Sequence, residues 1–217
     1  MFILDRKNSI ANSYLSQLRD LSVQNDRQKF RVNLQRLGSL MAFEISQVLH
    51  YHSQEVSTPL GKYQTNIPIN HPVLLTLMRA GLPFFQGFLD IFDQSECGFV
   101  GSFRSTEGEK EDIEIKSTYL TAPDLNGKQV ILIDPMLATG KSLVDAVNNM
   151  KRKGVPEHIH IAAVISAPEG IEYIKNNLDI DYSIWTASLD EHLNNKAYIV
   201  PGLGDAGDLA FGPKLDN

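Results

Sequence analysis

The 217-residue chain predicts an α/β fold built on a parallel sheet flanked by helices. Continuous apolar runs stand at "PVLLTLM" (72–78), "QVILID" (129–134) and "HIHIAAVIS" (158–166), as expected of strands buried on both faces. Helix-forming stretches and turn residues lie between them, and strands alternating with helices make a parallel sheet. Ligands of such sheets bind beyond the carboxyl ends of the strands. The loops after Met78, Phe103, Ile133 and Ser166 are therefore expected to gather at one edge.

Each element has its own local signal. Residues 9–50 read as helical. Ile10, Leu15 and Leu18 fall near one face, and Phe30, Leu34, Leu37, Met41 and Ile45 recur every three or four residues. This N-terminal helical arm (1–50) is expected to pack on the core or on a second subunit. Beyond "PVLLTLM", Arg79-Ala80-Gly81-Leu82 leads into a helix over "PFFQGFLDIF". "CGFVGSF" (97–103) reads as a strand. "EGEKEDIEIKSTYL" (107–120) is polar and then alternating, which predicts a mobile acidic loop followed by an exposed hairpin strand. "KSLVDAVNNMKRKG" (141–154) predicts a helix closed by Gly154. A helix over "PEGIEYIKNN" and a strand over "DYSIWTAS" (181–188) follow. No repeat, low-complexity tract or linker divides the chain, so one domain over 1–217 is expected.

Composition removes several function classes. The formal net charge of −6 disfavours a nucleic-acid partner, which draws a basic surplus. No window approaches ~18 uninterrupted apolar residues, so no membrane span is expected, and "MFILDRKNSI" lacks the long apolar run of a secretion signal. Cys97 is the single cysteine, which rules out an intrachain disulfide and suits a reducing, cytoplasmic setting. His50/His52 and His158/His160 read as solvated or half-buried pairs, since no carboxylate or cysteine follows at ligand spacing.

The chemistry concentrates in "VILIDPMLATGKSL" (130–143). Its Gly140-Lys141-Ser142 suggests a nucleoside triphosphate loop, but that motif needs a glycine five residues before Gly140. Pro135 stands there, and proline removes a backbone donor. What remains is a turn, Ala138-Thr139-Gly140-Lys141-Ser142, entering a helix. Free N–H groups and the helix dipole make such a turn an anion site. Thr139 and Ser142 add hydroxyl donors. Asp134, just before the turn, is placed to accept hydrogen bonds from sugar hydroxyls. A carboxylate beside a phosphate cradle points to a ribose phosphate.

This stretch resembles the phosphoribosyl-pyrophosphate (PRPP) loop of type I phosphoribosyltransferases, and Asp-Pro-Met-Leu-Ala-Thr-Gly is similar to the uracil phosphoribosyltransferase variant. "LMRAGLPFFQGFL", "GSFRSTE", "SAPEG" and "AYIVPGLGDAGDLAFG" resemble further segments of that family in the same order, from about residue 30 to the C-terminus. One departure is Lys141, where the family usually has a second glycine.

The resemblance implies the type I phosphoribosyltransferase fold with a β-hairpin arm, and the reaction of uracil with PRPP to give UMP and diphosphate. It implies Mg²⁺ carried by PRPP and water with no direct protein ligand, and a homodimer or higher homo-oligomer. PRPP binding falls to Arg79, Arg104, Asp134, Pro135, Met136, Leu137, Ala138, Thr139, Gly140, Lys141, Ser142 and Asp205. Of these, Arg79, Arg104 and Asp134 are the expected catalytic residues. The two arginines present planar forks to a departing diphosphate. Ile199, Gly204, Asp205 and Ala206, in the 190–217 segment, are the expected uracil site. A same-fold transferase for another base and a non-catalytic PRPP or nucleotide sensor remain as alternatives.

Overall fold

The computed structural model describes residues 1–102 and 118–213. Its elements in chain order begin with β1 (Phe2–Ile3), α1 (Ile10–Arg19), α2 (Arg27–Ser46), β2 (Tyr51–Thr58) and β3 (Gly61–Pro68). Then come β4 (Val73–Met78), α3 (Gly81–Leu89), β5 (Cys97–Ser102), β6 (Thr118–Thr121), β7 (Gln129–Ile133), β8 (Met136–Leu137) and α4 (Lys141–Met150). The remainder is β9 (His158–Ser166), α5 (Pro168–Asn177), β10 (Tyr182–Leu189), β11 (His192–Leu193), β12 (Ile199–Val200) and α6 (Ala206–Phe211).

The main sheet runs β1-β10-β9-β7-β4-β5-β6, and β8 also pairs with β9. Every neighbouring pair is parallel except β5 with β6. Alternate side chains of the central strands enter two cores. Leu74, Ile131, Ile133, Ala162 and Val164 join Leu18, Leu34, Leu37, Met41, Phe84 and Phe88 on one side. Val73, Leu75, Val130, Leu132, Ile159 and Ile161 join Leu143, Val147, Met150 and Ile174 on the other. This is why the strands show unbroken apolar runs: helices cover both faces. The N-terminal helices thus pack on the sheet core, α2 supplying Phe30, Leu34, Leu37, Met41 and Ile45 as its periodicity predicted.

From β4 the chain steps to β5 on one side and to β7, β9 and β10 on the other. The carboxyl ends of β4 and β7 therefore flank the point where strand order reverses, where a crevice opens.

The exposed hairpin differs from expectation in position. It is β2–β3, paired antiparallel from Tyr51 opposite Pro68 to Thr58 opposite Gly61. Every residue of β2 is exposed, so no apolar alternation marks it, and the turn is held locally by N–H groups of Leu60 and Gly61 donating to Thr58 Oγ1. Of the segment read as loop and hairpin strand at 107–120, residues 107–117 lie outside the described residues, and 118–120 belong to β6 against β5. Among the described residues no helix is long and apolar enough to cross a membrane.

Candidate active site

Two side chains open the crevice. Arg79 follows β4 and is half-buried; Asp134 follows β7 and is also half-buried. The loops carrying them are locked together. Thr76 Oγ1 donates to the Ile133 carbonyl at 3.2 Å, and Gly81 packs so closely that a Cβ there would sit 2.2 Å from Thr76 Oγ1. Asp134 Oδ1 accepts the Met136 N–H at 3.2 Å. Burial raises its pKa from 3.8 to about 7, outweighing that hydrogen bond.

After Asp134 the chain stays in the sheet. The Pro135 carbonyl accepts from the N–H groups of Val164 and Ile165, and the Leu137 carbonyl accepts from Ala167. Pro135, Met136 and Leu137 are therefore committed to β9 and to aiming the turn. The cradle proper is Ala138 to Ser142. Gly140 is the N-cap of α4 at φ 76 and itself offers no side-chain cap. Helical N–H groups of a first turn have no intrahelical acceptor; that of Lys141 donates to Thr139 Oγ1 at 3.5 Å, and Lys141 and Ser142 are exposed.

Behind the cradle lies the start of α5. A Cβ on Gly140 would fall 2.7 Å from the Gly170 carbonyl, and one on Gly170 would fall 2.2 Å from the Ala138 carbonyl. Two glycines let the backbones touch, so α5 backs the turn directly. Glu169, beside Gly170, accepts the Leu193 N–H at 2.9 Å and ties this corner to the β11–β12 ribbon.

The C-terminal segment closes the crevice. Ile199 is buried in β12; Gly202 and Gly204 adopt φ 61 and 93. Asp205 caps α6, its Oδ1 accepting the Asp208 N–H at 2.9 Å. Arg79 reaches this segment, donating to Asp208 Oδ1 at 3.2 Å and to the Gly212 carbonyl at 3.4 Å. Arg79 and the glycine-rich C-terminal turn so meet at the end of β4, next to the end of β7 that carries Asp134 and the 138–142 turn.

A family profile described as uracil phosphoribosyltransferase matches residues 6–213. This chain belongs to the uracil phosphoribosyltransferase family. A uracil phosphoribosyltransferase of Porphyromonas gingivalis is 42% identical over 212 residues, covering 98% of each chain. One from Pyrococcus furiosus is 36% identical over 201 residues, covering 91% of this chain and 84% of that one. Among solved structures, a protein from Aquifex aeolicus matches with a TM-score of 0.81 at 30% identity, covering 98% of both chains.

Of the residues expected from the sequence to form a uracil phosphoribosyltransferase site, Arg79 and Asp205 meet at one corner around Gly207. Asp134 and the 138–142 turn lie at the adjoining strand ends. Ile199, Gly204 and Ala206 belong to the turn and cap beside Asp205. Arg104 lies outside the described residues. Sequence reasoning passed over Asp208, Gly170 and Asp190. Asp208 and Gly170 sit inside quoted motifs, "GDAGD" and "SAPEG", but their roles are contacts to distant segments, which spacing does not report. The His158/His160 pair lies in the sheet, bonded to Asp181, Ser183 and Gln129.

Proposed function

We propose that this chain is a uracil phosphoribosyltransferase that joins uracil to PRPP and releases UMP and diphosphate. The observation that carries this reading is the convergence of Arg79 and the "PGLGDAGD" turn beside the Asp134–Ser142 cradle. The bond from ribose C1 to the diphosphate oxygen breaks, its electron pair leaving with diphosphate. Uracil N1 forms the new bond to C1, and the N1 proton is released.

The roles divide along the crevice. Backbone N–H groups of Ala138 to Ser142 hold the 5-phosphate. Asp134 accepts from the ribose hydroxyls, whose donation favours its ionised form. Arg79, with Arg104, meets the diphosphate, whose charge grows as the bond breaks; cations there stabilise the transition state more than the ground state. Uracil offers alternating acceptors and donors, matched by backbone groups of the Ile199–Ala206 segment. Positive φ at Gly202 and Gly204 aims those groups in ways other residues resist.

Mg²⁺ neutralises diphosphate charge when bound. Among the described residues no group of three or more His, Cys, Asp or Glu side chains converges on one point. We read the ion as one carried on substrate oxygens and water, with Asp134 and Asp205 as the carboxylates that would face its water shell. The protein is read as a cytoplasmic enzyme that assembles at least as a dimer.

The direct test is conversion of ¹⁴C-uracil to UMP by purified protein with PRPP and Mg²⁺. Turnover of hypoxanthine or orotate with none of uracil overturns the assignment of the base.

A further inference from the structure

The N-terminal helices and the turn between them reach the C-terminal segment through three side chains. Arg19, the last residue of α1, grips Asp190 with both terminal nitrogens, at 2.7 and 2.6 Å. The same guanidinium donates to the Gly202 carbonyl at 2.9 Å, and the Gly202 N–H donates to Asp190 Oδ2 at 2.8 Å. Both backbone groups of Gly202 are thus held by one ion pair. Gln24, buried, donates to the carbonyls of Leu18 and Leu203 at 2.9 and 3.3 Å. Arg31, in α2, donates to the Ala210 carbonyl at 2.7 Å.

The pair is built for rigidity. The Asp190 side chain is 3% exposed and that of Arg19 23%, so neither exchanges freely with water. Burial alone pushes the Asp190 carboxyl up, but hydrogen bonds from Arg19, its charge and the Gly202 N–H outweigh burial, and its pKa lies below the ordinary value. Asp190 is also rooted in the sheet, its N–H donating to the Ser166 carbonyl at 2.9 Å. Gly202 accepts no replacement, because a Cβ there would stand 2.1 Å from the Ile199 carbonyl. The turn is therefore clamped between the end of β9 and the end of α1.

We propose that Arg19 and Asp190 are positioning residues that fix the Pro201–Asp205 turn, so that α1 sets the affinity for the base. The proposal rests on the uracil reading above. A base read by backbone groups is bound only as well as those groups are held, since small misplacements of positioning groups cost large factors. PRPP contacts are made mainly by the strand-end loops and meet the clamped turn only at Asp205, so they depend on the clamp far less than the base does. Loosening the turn therefore separates the two substrates.

The test is steady-state kinetics of the full-length enzyme with Arg19→Lys and Asp190→Asn. Arg19→Lys keeps the charge and loses the bidentate fork. The KM for uracil is expected to rise by roughly tenfold or more, with the KM for PRPP within about twofold and kcat within about threefold. Gln24→Met, which keeps the volume and removes the donor to Leu203 together with the local ones to Leu18 and Arg19, is expected to raise the uracil KM by about threefold, and it decides the matter if the ion-pair variants fail to fold. Unchanged uracil KM values, or equal rises for both substrates, overturn the clamp while wild-type turnover stands. No UMP from wild-type protein overturns the uracil reading itself, and the clamp with it.

Discussion

The guanidinium of Arg79, at the carboxyl end of β4, donates to the carboxylate of Asp208 in α6 across 3.2 Å. The two residues are 129 positions apart, and their pairing draws the C-terminal segment over the crevice. Each side chain is 39% exposed, and ion pairs so exposed are worth only ~0–1 kcal/mol. Asp208 therefore holds one terminal nitrogen of Arg79 only weakly, and on the proposed reading it would yield to diphosphate oxygens.

Asp208→Asn should consequently change kcat/KM for PRPP by no more than about fivefold, since ~1 kcal/mol sets that limit. Arg79→Ala should lower kcat by about a hundredfold or more. Arg79→Lys should recover little, because a point charge does not reproduce the planar fork. Initial rates over a PRPP titration check all three. Near-wild-type turnover in Arg79→Ala removes the residue from the site.

The Gly140–Gly170 contact sets the second prediction. An alanine at 170 would bring Cβ to 2.2 Å from the Ala138 carbonyl, a backbone atom with no side-chain freedom to yield. The cradle must shift, and overpacking of this kind costs ~1–3 kcal/mol. Gly170→Ala should raise the PRPP KM by about tenfold or more while the uracil KM moves little, at a cost of ~1–3 kcal/mol in urea unfolding. Equal KM values in variant and wild type would show that α5 does not govern the cradle.

The strands and helices were legible where burial imposes a pattern. β4, β7 and β9 appear in the sequence as apolar runs because helices cover both their faces, and α5 begins at Pro168 as the "PEGIEYIKNN" reading has it. The crevice was legible through "VILIDPMLATGKSL", since a turn entering a helix states its own chemistry. β2 and β3 were not, because strands exposed on both faces carry no periodic signal. β8 was hidden because Met136–Leu137 sits inside a loop motif while continuing the register of β7 against β9. Arg19 with Asp190 and Arg79 with Asp208 were invisible for a different reason. Each pair joins segments more than a hundred residues apart, and no local spacing encodes such a contact. Of the N-terminal arginines, Arg19 holds Gly202 and Arg31 reaches the Ala210 carbonyl of α6, contacts that helical periodicity does not report.

Two groups shielded from water, half-buried Asp134 and buried His160, give stability a pH dependence of opposite sign. Asp134 is raised from 3.8 to about 7 by burial. Between those values the folded state keeps a proton that the unfolded chain has lost, so this group makes stability fall as pH rises from about 4 to 7. His160 is lowered from 6.5 to about 4, first by burial and then by the neighbouring charge of His158. Between those values the unfolded chain holds a proton that the folded state lacks, so this group makes stability rise with pH over nearly the same window. In the wild type the two slopes oppose each other. Each proton contributes at most about 1.4 kcal/mol per pH unit. Asp134→Asn removes the falling slope, and its stability should climb more steeply than wild type from pH 4.5 to 6.5. His160→Gln removes the rising slope, and its stability should climb less steeply, or fall, over the same range. Urea denaturation of the three proteins at half-unit pH intervals reads this as a divergence of curves, with contributions from unchanged groups cancelling in the differences. Parallel curves would mean that neither burial perturbs its group. A wild-type PRPP affinity that weakens below pH 7, while the Asp134→Asn affinity stays level over that limb, would tie the same proton to ribose recognition.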